Sequence, residues 1–252
     1  MNTGLESIGE RLPDPFRLLV RESSGSTNDD LRELATAGAP DGQILLAHRQ
    51  TAGRGRRGAA WHVRPGESLA FSILVRPPEP PALWPRLALA AGLAVAEAIG
   101  SFGIQAGIKW PNDIWIAGLK VAGILVEGGP GFAIIGIGIN VNTTTFPEEI
   151  ASIATSLRIQ GGREFPPDDV LAAVIGRFAR RRLQIDAEFP ELVSQIQSRC
   201  VLTGETVTLQ TSSGTKRGEV EGIGGGGELL LRTGSDLERI IQADEVRIQH
   251  SA

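Results

Sequence analysis

Gln50-Thr51-Ala52-Gly53-Arg54-Gly55-Arg56-Arg57-Gly58-Ala59-Ala60-Trp61 is the stretch around which the rest of this chain is read. Glycine and arginine fill every position from Gly53 to Gly58, and an aromatic follows three residues later. Glycine lets a backbone pass close to a ligand and take positive φ. Arginine presents five donors in a planar fork that fits phosphate or carboxylate. A mobile cationic loop that closes on an anion is one reading. A solvated basic loop is a second, and a nucleic-acid patch is a third.

The segments on either side give the loop a frame. Residues 44–47 form a short buried strand that runs straight into it. Ahead of that lies a strand at 16–20, then Ser26-Thr27-Asn28-Asp29-Asp30-Leu31, which opens a helix. Its polar trio suits an N-cap and its aspartates suit a first turn, while Leu31, Leu34 and Ala35 give an apolar stripe that Gly38 ends. Capping alone would account for Ser26, Thr27 and Asn28. After the loop come a strand at 68–75 and a long apolar helix at 83–100. The apolar run at 87–99 is shorter than the roughly 20 residues a bilayer requires. Strands follow at 106–110, 113–117, 119–126 and 132–139, with a tight turn at Ala117-Gly118 and a looser one at 128–131. Helices are expected at 168–189 and 191–199. From Gly204 the texture changes to short strands at 206–209, 217–222, 228–231, 239–241 and 245–248, which suggests a small barrel. The expected domains are therefore 1–202, which carries the chemistry, and 203–252, the barrel.

Composition narrows the class. With 252 residues, 41% of them hydrophobic, the chain can bury a sizeable core. A net charge of −4 argues against bulk polyanion binding, so the arginine cluster is a local feature. The one cysteine, Cys200, excludes an internal disulfide, and His48, His62 and His250 are too scattered for a zinc cluster. No signal-peptide core opens the sequence, so the cytoplasm is the expected compartment and no membrane partner is expected.

Three further stretches carry chemistry. In Lys109-Trp110-Pro111-Asn112-Asp113 a proline fixes a bend that holds a lysine, an amide and a carboxylate at strand ends. The strand-turn-strand with a buried tryptophan is the plainer account. In Gly118-Leu119-Lys120-Val121-Ala122-Gly123 a lysine opens an apolar strand, either snorkelling or aimed at an anion. In Gly136-Ile137-Gly138-Ile139-Asn140 two glycines leave room for another group to come close, or for a packing gap beneath a helix.

In content and order these stretches, with Ser26-Thr27-Asn28 ahead of them, resemble the biotin–protein ligases, or holocarboxylase synthetases. The resemblance is close from about Ser23 to Asn142 and extends to the C-terminal barrel in texture only. It implies an α/β fold: a mixed β-sheet flanked by helices, of the class II aminoacyl-tRNA synthetase and biotin ligase kind, followed by a small SH3-like barrel. It implies a two-step reaction in which biotin and ATP give biotinyl-5′-AMP, and a lysine of a biotin carboxyl carrier domain then takes the biotin. ATP with Mg²⁺ and biotin would be the small molecules. By match of motif, Lys120, Arg56 and Asp113 would be catalytic. Ser26, Thr27, Asn28, Gln50, Gly53, Arg54, Gly55, Arg56, Lys120 and Gly123 would meet biotin. Arg56, Arg57, Trp61, Lys109, Asn112 and Asn140 would meet the nucleotide, with adenine stacked on Trp61. No dedicated metal site is implied; Mg²⁺ would ride on the phosphates, with Asp113 either touching it or orienting the incoming lysine. Only about 25 residues precede the first motif, too few for the winged helix that makes some members repressors, so a ligase without DNA binding is expected. Some members are homodimers, and that outcome stays open. Two departures stand out. Ala59 replaces the usual basic residue, and no one basic residue of the barrel is singled out among Lys216, Arg217 and Arg247. A lipoate or octanoate ligase of the same fold is the alternative, with a nucleic-acid module third.

Overall fold

The computed structural model of the protein describes residues 8–61 and 63–249, without the side chain of Arg57. Twelve strands fall into two sheets. The first comprises β1 (Arg17–Ser24), β2 (Gln43–Gln50), β3 (Ser68–Val75), β4 (Gly107–Lys109), β5 (Asp113–Ile116), β6 (Leu119–Gly129) and β7 (Phe132–Asn140). These lie in the order β1-β2-β3-β7-β6-β5-β4. Helix α1 (Thr27–Thr36) crosses over from β1 to β2, which makes that pair parallel. Every other neighbouring pair is antiparallel, so the sheet is mixed.

The alternation of side chains assigns the two faces. Ile44, Leu46, Phe71, Ile73, Ile135 and Ile137 point into the larger core, under the apolar helix α2 (Arg86–Gly100). Leu45, Leu74 and Ile134 point the other way, where Leu31 and Ala35 of α1 cover them. Further along that second face the paired residues are small: Ser72 lies opposite Gly136, Ala70 opposite Gly138, and Gly138 opposite Gly123. Where α1 ends, the face therefore becomes the floor of a groove.

Two short helices follow, α3 (Glu148–Ala151) and α4 (Leu157–Gly161), then α5 (Pro167–Arg181) and α6 (Phe189–Gln197). The helix expected over 168–189 is thus shorter, and the one expected over 191–199 starts earlier. The first ends at Arg181, a 3-10 turn spans Arg182–Gln184, and the second begins at Phe189 with Pro190 in its first turn. The turn at 128–131 is also tighter than expected, because Gly129 pairs directly with Phe132.

The second sheet comprises β8 (Thr206–Thr211), β9 (Gly214–Ile223), β10 (Leu229–Thr233), β11 (Asp236–Ile240) and β12 (Glu245–Ile248). It is antiparallel throughout, in the order β11-β10-β9-β8-β12. That is consistent with an SH3-like unit. Its apolar side chains, including Val207, Leu209, Val220, Leu229 and Leu231, join the same core as α2 and α6. Trp110 ties the two sheets by donating Nε1–H to Gly227 O at 2.9 Å.

Candidate active site

The glycine-arginine loop and the strand ends around it enclose a groove of about 2190 Å³. The loop is folded back on itself as a small hairpin, not spread into solvent. Trp61 N donates to Gly53 O at 2.9 Å, Gly55 N donates to Ala59 O at 2.7 Å, and Arg54 and Ala60 form an antiparallel bridge. A Cβ at Gly53 would lie 2.6 Å from Trp61 O, so only glycine closes the hairpin this way. Two of its arginines have partners on other elements. Arg54 forks onto both carboxylate oxygens of Asp29 and lies 3.8 Å from Glu127. That fork holds the Asp29 carboxyl below its ordinary pKa and raises Arg54 above its own. Arg56 donates to Asn112 Oδ1 at 3.3 Å and to Ala243 O of the C-terminal unit at 2.7 Å.

One end of the groove is polar. Ser26 stands at the N-cap position of α1 but makes no side-chain capping bond, so capping does not explain the trio. Instead Thr27 and Asn28 turn inwards and are 4% exposed. Gln50 Oε1 accepts from Thr27 N at 2.8 Å and lies 3.2 Å from Thr27 Oγ1. Asn28 Nδ2 donates to Glu127 Oε2 at 2.6 Å. The floor is apolar and close. A Cβ at Gly136 would strike Asn28 Oδ1 at 2.4 Å, and one at Gly138 would strike the Trp61 ring at 2.1 Å. The group for which the two glycines make room is thus an amide and an indole. Trp61 Nε1 is buried and has no acceptor among the described residues.

The other end is cationic. Lys120 Nζ lies 2.6 Å from Asp113 Oδ1, over the floor at Gly123, and 5.9 Å from the centre of the Trp61 ring. The Lys120 backbone is held at both its polar groups by residues 153–155: its N–H donates to Ile153 O, and its carbonyl accepts from Thr155 N, each at 2.8 Å. Lys109 Nζ sits 4.3 Å from the Trp115 ring centre; burial lowers its pKa, with Asp113 opposing and Lys120 reinforcing the shift. Asn112 Nδ2 donates to Ile124 O at 2.7 Å, which leaves Oδ1 for Arg56.

The groove lining brings together Ser26, Thr27, Asn28, Gln50, Arg54, Gly55, Arg56, Trp61, Lys109, Asn112, Asp113, Lys120 and Gly123. Gly53, at the base of the hairpin, does not line the groove. Asn140, expected on the nucleotide side, does not line the groove; it is 7% exposed and its Nδ2 donates to Thr155 O at 3.0 Å. The expectation for Arg57 concerns a side chain outside the described residues. Of the basic candidates in the C-terminal unit, Arg247 lines the rim, paired with Glu245 at 2.7 Å, whereas Lys216 is held by Glu238. Sequence reasoning missed Asp29, Ser72 and Glu127. Ser72 carried a signal, as a hydroxyl at full burial in an apolar strand.

Residues 20–143 match the model of the "Biotin/lipoate A/B protein ligase family". A curated relative, "Biotin--[acetyl-CoA-carboxylase] ligase" of Mycobacterium tuberculosis, is 33% identical over 92% of this chain and 90% of its own length. "Bifunctional ligase/repressor BirA" of Bacillus spizizenii is 37% identical over 90% of this chain and 73% of its own. Among solved structures, the biotin protein ligase from Aquifex aeolicus in complex with biotin and ATP aligns with TM-score 0.84 at 33% identity, over 93% of this chain and 99% of that one.

Proposed function

This chain belongs to the biotin/lipoate A/B protein ligase family, and we propose that its groove joins biotin to ATP as biotinyl-5′-AMP and then passes the biotin to a lysine of a carrier protein. It is a biotin–protein ligase. The observation that supports this most directly is the polarity of the groove. Hydroxyl and amide groups of Ser26, Thr27 and Gln50 stand at one end, an apolar floor of Ala70, Gly136 and Gly138 lies between, and Lys120, Arg56 and Lys109 stand at the other. A cyclic urea on an aliphatic acid fits that order. A dithiolane would leave the polar end unpaired, which costs binding, so lipoate is the poorer fit.

In the first step the biotin carboxylate attacks the α-phosphate and pyrophosphate leaves. Two anions meet, so preorganised positive charge lowers the barrier. Lys120 supplies it from a clamped strand, with Asp113 holding its ammonium in place. Arg56, on the hairpin, covers the mixed anhydride, and Trp61 offers its ring to the nucleotide. In the second step the carrier lysine attacks the acyl carbon, and AMP leaves. Mg²⁺ entering with ATP would supply positive charge at the phosphates and would need few protein ligands. Asp113, the one carboxylate expected near the ion, is engaged by Lys120 at 2.6 Å. No helix of the described residues is long and apolar enough to cross a membrane.

Pyrophosphate exchange into ATP tests the reading, with biotin, lipoate or no acid supplied. Exchange should require biotin. Exchange driven by lipoate, or without any acid, would overturn it.

A further inference from the structure

Behind the polar end of the groove a chain of hydrogen bonds has only one allowed direction. It begins at Glu127, whose carboxylate can accept but not donate. The Asn28 edge that faces it at 2.6 Å is therefore the NH₂, and Asn28 Oδ1 faces the other way. Ser72 Oγ lies 2.6 Å from that carbonyl and 2.7 Å from Thr27 Oγ1. A hydroxyl has one hydrogen, and the amide oxygen can only accept, so the Ser72 hydrogen goes to Asn28. The short contact to Thr27 is then donated by Thr27. With its hydrogen spent on Ser72, the Thr27 hydroxyl turns lone pairs towards the groove. Gln50 Oε1, which also takes the Thr27 backbone N–H at 2.8 Å, is the weaker competitor for that hydrogen, since it lies 3.2 Å from Thr27 Oγ1 against 2.7 Å for Ser72 Oγ.

We propose that Glu127, Asn28 and Ser72 are positioning residues that lock the Thr27 hydroxyl as a hydrogen-bond acceptor, so that the groove selects a ligand with a ring N–H at this point and rejects one with a ring oxygen. Thr27 lines the groove, whereas Ser72 and Glu127 stand behind its wall. Three of its four members are buried: Ser72 is fully enclosed, and Thr27 and Asn28 are 4% exposed, while the Glu127 side chain is partly exposed. Gly136 keeps it in register, because a Cβ there would displace the Asn28 amide. The inference rests on the biotin reading of the groove and adds the device by which a urea is told from its isosteres. Arg32 and Arg54 lie 3.7 and 3.8 Å from Glu127.

The test pairs a ligand change with a protein change. Biotin is compared, by biotin-dependent pyrophosphate exchange and by calorimetric titration, with its two cyclic carbamates, in which one or the other ureido N–H becomes a ring oxygen. In the wild type one carbamate should bind about 100-fold worse than biotin, because two acceptors then face each other. In Ser72→Ala the Thr27 hydrogen is released to turn towards the ligand, and the same ratio should fall below about tenfold, although biotin itself binds more weakly. Glu127→Ala frees the Asn28 amide to flip and should shrink the ratio in the same way. Glu127→Gln keeps an acceptor oxygen and should restore the ratio. A purely structural role would weaken biotin and carbamate alike and leave the ratio unchanged. Should Ser72→Ala fail to fold, the Glu127 pair decides. A wild type that uses biotin but treats both carbamates alike, or variants that hold the full ratio, would overturn the relay. A wild type with no biotin-dependent exchange would overturn the functional reading and the relay with it.

Discussion

Lys120 and Arg56 bring positive charge to one groove from backbones of different stiffness, and this should separate making the adenylate from keeping it. Lys120 stands on a strand, with both its backbone polar groups hydrogen-bonded to residues 153–155. Losing it should reduce pyrophosphate exchange by about 100- to 1000-fold, the usual cost of a preorganised charge at a developing anion. Arg56 stands on a hairpin turn and reaches Asn112 and Ala243. Arg56→Gly should retain exchange but release biotinyl-AMP one to two decades faster, in line with a lost charge-assisted contact of about 1.5–3 kcal/mol. Biotin labelling of an unrelated lysine-rich protein reads that leak; if Lys120→Ala leaks and Arg56→Gly loses exchange, the two roles are reversed. Lys109 makes a prediction of the opposite kind. Burial lowers its pKa, so its charged form is disfavoured in the folded state. The unfolded chain then binds more protons, and the cost of burial is fully present at neutral pH. It fades as pH rises from the lowered folded value through the ordinary lysine value. Lys109→Met should therefore raise Tm at neutral pH, with the gap closing in alkali, while ATP is bound more weakly. A lower Tm at neutral pH would show that the ammonium is stabilised in the groove of the free protein.

At the scale of elements, the residues that line the groove were largely legible, and those that hold them in place were not. Glycines at alternate positions of β7 signalled a close approach, but their occupants, Trp61 and Asn28, come from distant segments that only the fold brings together. The polar trio was open to a capping account because N-caps use the same residue types; burial of Thr27 and Asn28 decides against it. The folded hairpin was not legible, because the groups that hold Arg54 and Arg56 lie on α1, beside β5 and in the C-terminal unit, none of them local in sequence. The helix over 168–189 read as continuous because Phe178, Ile185 and Phe189 keep an apolar rhythm through the break, and all three are buried. Two substitutions test this layer. Gly138→Ala drives a methyl into the Trp61 ring and should cost about 1–3 kcal/mol and much of the biotin affinity. Gly225→Ala, with nothing within 4 Å of its added Cβ, should stay within about 0.5 kcal/mol of the wild type. Asp29→Asn removes the charge that holds Arg54 and should make the 51–60 loop more sensitive to limited proteolysis, with biotinyl-AMP restoring protection. Unchanged cleavage would mean that the backbone bonds of the hairpin suffice without the ion pair.

For the whole molecule, the change in texture after Gly204 marks a different kind of sheet but not a separate core. Val207, Leu209, Val220, Leu229 and Leu231 pack into the same cluster as Leu89 of α2 and Leu192 and Ile196 of α6. A Cβ at Gly227 would lie 2.7 Å from Leu89 Cδ1, so the approach is tight as well as apolar. Polar bonds cross the same seam: Trp110 Nε1–H to Gly227 O, Arg56 to Ala243 O, and Gln197 Oε1 accepting from Ile223 N. We therefore propose that residues 203–252 are a unit of architecture that does not fold alone. Differential scanning calorimetry of the whole chain should show one transition with equal calorimetric and van't Hoff enthalpies. Trp110→Phe keeps the ring in its slot but removes the donor to Gly227 O. It should cost about 1 kcal/mol, or roughly 2–4 °C for a chain of this size, and it should shift the single transition as a whole. A chain ending at residue 202 should aggregate, since the apolar face of α2 and α6 would lie open. Two resolved transitions, with Trp110→Phe moving only one of them, would show that the seam is weaker than its packing implies and that the two sheets fold independently.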